Sequence, residues 1–247
     1  GTARCSEKFA QPSNRSMSSL PDGTNGPHAF VNNLEEPELS DEDRHHLQRV
    51  LRLKPSDPLT ISDGANRWRP AIFGTTIEAT GEIVKVPPPT VPITIGFVVP
   101  KGDRPAWIVQ KLTELGVDEI HLLSSLRSVV KWDPPKAEQQ HQRLGRIARE
   151  AAMQSRQVRL PKIKPINELK QATLEPGICL AHRSEERVTL KHPCIYIGPE
   201  GGWDPTELDG LPTVSLGPSV LRAETAAVAA ASALSLLRQD LLDNHSP

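Results

Sequence analysis

A strand-like run, Cys194 to Ile197, passes directly into Gly198-Pro199-Glu200-Gly201-Gly202-Trp203, with three glycines in five positions. Lacking a Cβ, glycine reaches torsions closed to other residues and lets backbone approach a ligand. A second run, Thr213 to Leu216, ends in Gly217-Pro218 and leads through Leu221-Arg222 into the alanine-rich helix opened by Ala223-Glu224-Thr225-Ala226. Two buried-type strands that each end in a glycine corner belong at the carboxyl edge of an α/β sheet, where ligands of such sheets sit. The plain alternative for each corner is a tight turn. Neither is a phosphate loop, because the Lys-Ser/Thr pair is missing, and neither reads GxGxxG. A phosphate-binding hydrolase would also need a lysine or metal carboxylates near Gly198, and the sequence has none in place.

The chain upstream of these corners changes character at Pro87-Pro88-Pro89. Residues 1–27 are rich in Ser, Pro, Asn and Gly without apolar periodicity and read as a disordered leader. Ala29 to Asn32 reads as a strand, and Ser40 with Asp43 resembles a capping box for a helix carrying Leu47, Val50 and Leu51 on one face. Leu59 to Ser62, Trp68 to Phe73 and Thr75 to Val86 are β-like, the first two joined by Asp63-Gly64, so residues 28–88 suggest a small β-barrel.

Beyond the prolines, residues 89–247 alternate strands and helices. Strands are expected at Val91 to Val99, Ile120 to Leu123, Ile178 to Ala181, Cys194 to Ile197 and Thr213 to Leu216. Helices are expected after Asp103, closed by Gly116, and from Ala137 to Ser155, with Leu144, Ile147, Ala148 and Ala151 inward and Arg143, Arg146 and Arg149 toward solvent. Ala223 to about Leu242 is the terminal helix. The pattern specifies an α/β fold with a mostly parallel sheet covered on both faces.

Composition narrows the partners. Formal net charge is -1, so binding to a polyanion depends on local clusters. Residues 131–164 supply one, with nine basic side chains against three acidic. Cys5, Cys179 and Cys194 are odd in number and lack CxxC spacing, which speaks against a zinc site or disulfide framework and for a reducing, cytoplasmic setting. No metal is expected. The apolar stretch Ala226 to Leu237 is too short to cross a bilayer, so no membrane span is expected either.

The pairing GPEGG then LGPxxLRAETA resembles the RsmE-type family of 16S ribosomal RNA uridine-N3 methyltransferases, within the SPOUT superfamily. Matching stretches include His45 to Arg52, Lys101-Gly102-Asp103-Arg104, Gln110 to Val117, Arg127 to Val130 and Glu150 to Ser155, in matching order and spacing. The resemblance implies a C-terminal SPOUT domain with a trefoil knot, an N-terminal PUA-like β-barrel for RNA, and a homodimer. It further implies S-adenosyl-L-methionine as cofactor and 16S rRNA or the 30S subunit as partner. Carried onto this chain, the cofactor pocket involves Leu180, Gly198, Pro199, Glu200, Gly201, Gly202, Leu216, Gly217 and Leu221. Three departures stand out: Leu126-Arg127-Ser128 where Glu-Arg-Ser is commoner, Met153-Gln154-Ser155-Arg156 for Glu-Gln-Ser-Gly, and His28-Ala29-Phe30 for Arg-Phe-Phe. They touch the RNA side more than the cofactor side.

Methylation of uracil N3 requires positioning and removal of the imide proton. Arg222 is the expected catalytic-site residue, since a fixed guanidinium stabilises a developing uracil anion or orients a phosphate. Its alternative is a helix-end salt bridge with Glu224 or Glu200. Glu200 reads either as a base or as a cap on the glycine-turn amides. Adjacent His45 and His46 face different sides and do not form a metal pair. Arg49, Arg52, Arg67, Arg69, Arg104, Arg127 and Arg156 are expected to meet RNA, with solvated surface charge as the alternative. Two further functional readings stay open: a SPOUT enzyme acting on another RNA, and a non-catalytic RNA-binding assembly factor.

Overall fold

The computed structural model describes residues 20–173 and 177–242. Most of the expected leader, residues 1–19, lies outside the described residues. Residues 20–27 do not behave as a loose arm: Pro21 is buried, Pro27 C=O accepts from Thr60 N–H (2.9 Å), and Gly26 C=O accepts from Arg156 Nη1 (2.6 Å). The Thr60 bond holds the segment against the first sheet, and the Arg156 side chain ties it to the residues after α3.

That sheet comprises β1 (His28–Phe30), β2 (Pro58–Ser62), β3 (Arg67–Ile72), β4 (Glu78–Ala79) and β5 (Val84–Lys85). β1 runs parallel to β2; β3 pairs antiparallel with β2, β4 and β5. The β2–β3 turn forms because the Asp63 carboxylate accepts from the N–H groups of Ala65 and Arg67 while Gly64 takes a φ of +71°. The expected single run from Thr75 to Val86 is instead two short strands. Between them the Gly81 carbonyl turns inward to accept from Arg69, and a Cβ on Gly81 would meet Pro70 at 2.9 Å.

Ser40 caps α1 (Asp41–His45), its hydroxyl accepting from Asp43 N–H at 3.1 Å. Only half of the capping box forms, because the Asp43 carboxylate is engaged by Arg149. The helix then widens into a π turn, His46–Val50, closed by Leu51 N–H on His46 C=O. Five-residue spacing rotates the expected apolar face apart. Leu47 is buried, whereas Val50 and Leu51 are 62% and 46% exposed.

The second sheet is wholly parallel, in the order β11-β9-β10-β6-β7-β8. Its strands are β6 (Thr94–Val98), β7 (Glu119–Ser124), β8 (Lys162–Glu168), β9 (Ile178–Ala181), β10 (Cys194–Ile197) and β11 (Thr213–Val214). Helices α2 (Arg104–Glu114), α3 (Pro134–Gln154) and α6 (Ala223–Arg238) bury Ile108, Leu112, Leu144, Ala227, Ala230 and Leu234 against Ile95, Phe97, Ile120 and Ile195. On the opposite face Val98, Leu123, Leu180, Tyr196 and Trp203 form a second cluster, which α4 (Leu169–Ala172) joins. Period-two alternation along β6 and β10 supplies both layers.

Gly96 on β6 faces that second cluster. A Cβ there would lie 2.4 Å from the Tyr196 ring and 3.0 Å from Leu123. The ring crosses Gly96 to reach His121, whose Nδ1 is 2.8 Å from the Tyr196 hydroxyl. Gly96→Ala therefore overpacks a rigid site and is expected to cost about 1–3 kcal/mol. A thermal melt several degrees lower checks this.

Three boundaries differ from the sequence-based expectation. β8 was not expected; it is an edge strand with charged and polar residues and an internal proline, Pro165. α3 starts at Pro134, capped by Asp133, since prolines are tolerated in a first helical turn. α6 stops at Arg238, whose guanidinium turns back to Gly116 C=O and Asp118.

Arg149 corrects the outward reading of α3. Its guanidinium donates to Asp43 (2.6 Å) and to Phe30 C=O (3.1 Å) and covers the Phe30 ring. Ala152 and Met153 enter the core of the first sheet, so α3 belongs to both layers. Arg143 pairs with Asp103, and Arg146 is exposed as expected.

Buried His28 bonds through Nδ1 to Thr60 Oγ1 at 2.8 Å. Burial, with the nearby Arg156 charge, pushes its pKa down from 6.5 to about 4. The unfolded chain binds a proton at its ordinary value while the folded chain stays neutral until about pH 4. Stability is thus full above pH 6.5 and falls as pH drops through that window, by on the order of 3 kcal/mol. Urea midpoints measured across the window check the slope, which His28→Gln should flatten.

Candidate active site

β10 delivers the chain to Gly198 at the carboxyl edge of the second sheet, next to β6. From β6 the chain order runs outward to β7 and β8 on one side, while β10 and β9 lie on the other, so the order reverses here. A Cβ on Gly198 would lie 2.9 Å from the Trp203 indole, which is fixed by its own N–H donated to Ala181 C=O at 3.0 Å. The turn closes through Gly202 N–H on Pro199 C=O (2.8 Å), with Gly202 at φ +70°. The second corner places Gly217 at φ +121° just before α6.

Between the corners lies an open cleft of about 250 Å³. Gly198, Pro199, Glu200 and Gly202 line one wall; Leu216, Gly217 and Leu221 line the other; Ala223 and Ala226 at the start of α6 form the base. Seven of the nine expected cofactor residues are therefore brought together. Leu180 is not among them, because its side chain is fully buried with Tyr196 and Trp203. Gly201 also stays outside, its carbonyl turned to accept from Arg127 Nη1 at 3.2 Å. Sequence reasoning missed Ala181, His182 and Arg183, which line the cleft from the end of β9. Their signal was a buried strand ending in two polar residues beside the glycine corners.

Arg222 stands at the N-cap of α6, exposed, with extended backbone and no side-chain capping bond. Among the described residues it has no ion-pair partner, so the helix-end salt bridge is not formed. Glu200 does not cap the glycine turn either. It pairs with Arg104, and that hydrogen bond, with lesser help from Arg222 and Lys101, holds its carboxyl below the usual range. At neutral pH Glu200 is an anion. Arg127 donates to Gly201 C=O and to Asp204, and Leu126 N–H donates to Glu207 of α5 (Pro205–Leu208) at 2.8 Å, pinning the loop after β7 to the glycine corner.

The other arginines expected to meet RNA divide by what they touch. Arg67 pairs with Asp63 at 2.6 Å, Arg69 donates to Leu34 and Gly81 carbonyls, and Arg156 donates to Gly26. These three, with Arg104 and Arg127, are engaged within the fold. Arg49 and Arg52 are exposed and have no ion-pair partner among the described residues. His46 is partly buried and His45 exposed. Among the described residues no group of three or more His, Cys, Asp or Glu could hold a metal ion, and no helix is long and apolar enough to cross a membrane.

Comparison with known proteins places this chain in a family. Residues 87–235 match the RNA methyltransferase domain, and residues 39–73 match the RNA methyltransferase PUA domain. The chain is 31% identical over 239 residues to ribosomal RNA small subunit methyltransferase E of Bacillus subtilis, covering 82% of this chain and 92% of that protein. It is 27% identical over 221 residues to the protein of that name from Mycobacterium tuberculosis, covering 78% and 83%. A crystal structure of ribosomal RNA small subunit methyltransferase E from Neisseria gonorrhoeae bound to S-adenosyl methionine superposes with a TM-score of 0.71 at 27% identity, covering 85% of this chain and 97% of that one. With the family domain matched over more than half its length and its relatives matched nearly end to end, this chain belongs to the RNA methyltransferase family that includes ribosomal RNA small subunit methyltransferase E.

Proposed function

We propose that this protein transfers a methyl group from S-adenosyl-L-methionine to N3 of a specific uridine in 16S ribosomal RNA of the small subunit. The observation that carries the reading is the meeting of both glycine corners with the start of α6 around one cleft, in a chain whose relatives bear that enzyme's name. The cleft's residues suit the cofactor. Ile197, Leu216, Leu221 and Ala226 offer apolar walls for an adenine, and Cβ positions on Gly202 and Gly217 are open for at least 4 Å. The dipole of the 16-residue α6 directs its positive end at the same space, favouring a carboxylate.

When bound, the sulfonium supplies an electrophilic methyl carbon. The protein's part is to position the uracil and to favour loss of its imide proton to solvent water, the open cleft leaving that route free. Arg222, which lies in sequence between the cleft-lining Leu221 and Ala223 without lining the cleft itself, stabilises the uracil anion. Glu200, held ionised by Arg104, is committed to the ion pair and orients the glycine corner. The fold reading goes with this function: residues 28–88 form a PUA-like barrel that binds RNA, and residues 89–247 a SPOUT domain whose terminal corners thread a trefoil knot. The enzyme acts in the cytoplasm as a homodimer.

The test is methyl transfer from labelled cofactor to 30S subunits and to naked 16S RNA from cells lacking this protein, with mass mapping of the product. One N3-methyluridine in 16S RNA is expected. Label at another nucleotide of 16S RNA, or none in either substrate, contradicts the reading.

A further inference from the structure

Parts of four of the sequence stretches that carry the family resemblance, His45 to Arg52, Lys101 to Arg104, Gln110 to Val117 and Glu150 to Ser155, meet outside the cofactor cleft. They enclose a groove of about 750 Å³ between the π turn, α2 and the end of α3, which has no lining residue in common with the cleft. Val50, Leu51 and Trp107 present their side chains there, and Trp107 is 44% exposed. Gln110, Gln154 and Arg156 supply polar groups around them. An apolar and aromatic floor rimmed by polar groups on a surface marks a binding site.

The backbone is unusual on both walls. One carries the π turn, and Arg52, next to Leu51, has a φ of +57°; the opposite wall carries Arg156, also at +57°. Left-handed torsions at non-glycine residues persist where surroundings over-determine them, and they gather at ligand sites.

Charge selects the occupant. Arg49 and Arg52, next in sequence to the groove-lining Val50 and Leu51, are exposed and without ion-pair partners among the described residues, while of the two acids that line the groove Asp103 is paired with Arg143. A planar indole with amide side chains beside it and unpaired cations outside suits an unstacked nucleobase and its phosphates. The groove also leads toward the cleft. Asp103 lines it, and the next residue, Arg104, pairs with Glu200 on the cleft wall.

The geometry points to a nucleotide pocket that seats a non-target base of the RNA strand, stacked on Trp107 and hydrogen-bonded by Gln110 and Gln154, while the target uridine reaches the cleft past the start of α2. The identity of the RNA and the seating of the target uridine rest on the proposed function; the pocket for the non-target base does not.

The experiment compares wild type, Trp107→Ala, Trp107→Phe and Gln154→Ala in the full chain, using 30S subunits from cells lacking this protein. Trp107→Ala is expected to raise KM for 30S by about 10- to 100-fold, with kcat and cofactor binding little changed and Trp107→Phe restoring most of the loss. Gln154→Ala is expected to fall between. Unchanged KM in Trp107→Ala overturns the proposal, as does dissociation of a dimer by that variant in sedimentation, which would make the groove a protein contact. Should wild type transfer no methyl group, the proposed function fails, and direct binding of 16S RNA reads the groove instead. Weaker binding by Trp107→Ala then supports the pocket, and equal binding overturns it.

Discussion

Arg222→Ala is expected to lower kcat for methyl transfer by about 100- to 1,000-fold while leaving cofactor affinity and folding nearly intact. The side chain is exposed, holds no ion pair among the described residues and makes no capping bond to α6. Its removal therefore orphans no partner and opens no cavity. Its backbone, which does shape the second corner, survives the substitution. What is lost is the positive charge next in sequence to the cleft-lining Leu221 and Ala223, needed only as negative charge develops on the uracil. Such a loss appears in kcat and kcat/KM together, with little change in cofactor binding. Arg222→Lys should recover part of the activity, since an ammonium supplies charge without the planar fork. Equal rates for Arg222→Ala and wild type would remove Arg222 from the reaction.

The largest stability effect is expected at Asp118, in the loop between α2 and β7. Its carboxylate accepts from Ile93 N–H at 2.8 Å, pairs with Arg238 at the end of α6 and lies 3.1 Å from Arg159. The Asp118 and Arg238 side chains are 10% and 11% exposed. Burial already lowers the Arg159 pKa, and the Asp118 charge opposes that shift. Asp118→Ala leaves two partly or largely buried guanidinium groups without their anion and frees the last turn of the helix that floors the cleft. Breaking a buried pair in this way costs about 3–5 kcal/mol, a large share of a total near 5–15 kcal/mol. At about 2–4 °C per kcal/mol for a chain of this size, the melting temperature should fall by roughly 10 °C. A shift of only a degree or two in calorimetry would show that the cluster contributes little.

How far the residues alone disclosed this arrangement depends on how local each determinant is. Glycine corners were legible because the torsions of Gly202 and Gly217 and the tight fit of Gly198 on Trp203 are demands of single positions. Buried strands such as Ile178–Ala181 and Cys194–Ile197 were legible as short apolar runs. β8 was not, because an edge strand shows charge and alternation too weak to distinguish it from a loop. The π turn escaped because Leu47, Val50 and Leu51 fit an ordinary helical face until a five-residue hydrogen bond rotates them. Arg149 was misassigned because an arginine at helical spacing carries no sign of the Asp43 carboxylate awaiting it from α1. Among site residues, His182 and Arg183 went unread for a related reason: only the sheet order brings the end of β9 beside β10.

The central claim is that one ligand space lies between the two glycine corners and the start of α6. Backbone amide spectra of the isotope-labelled protein, recorded as S-adenosyl-L-methionine is added, test it residue by residue. Saturable shifts concentrated at Gly198, Gly202, Gly217 and Ala223 are predicted. Saturable shifts confined to other parts of the chain, or a spectrum indifferent to the cofactor, would contradict it.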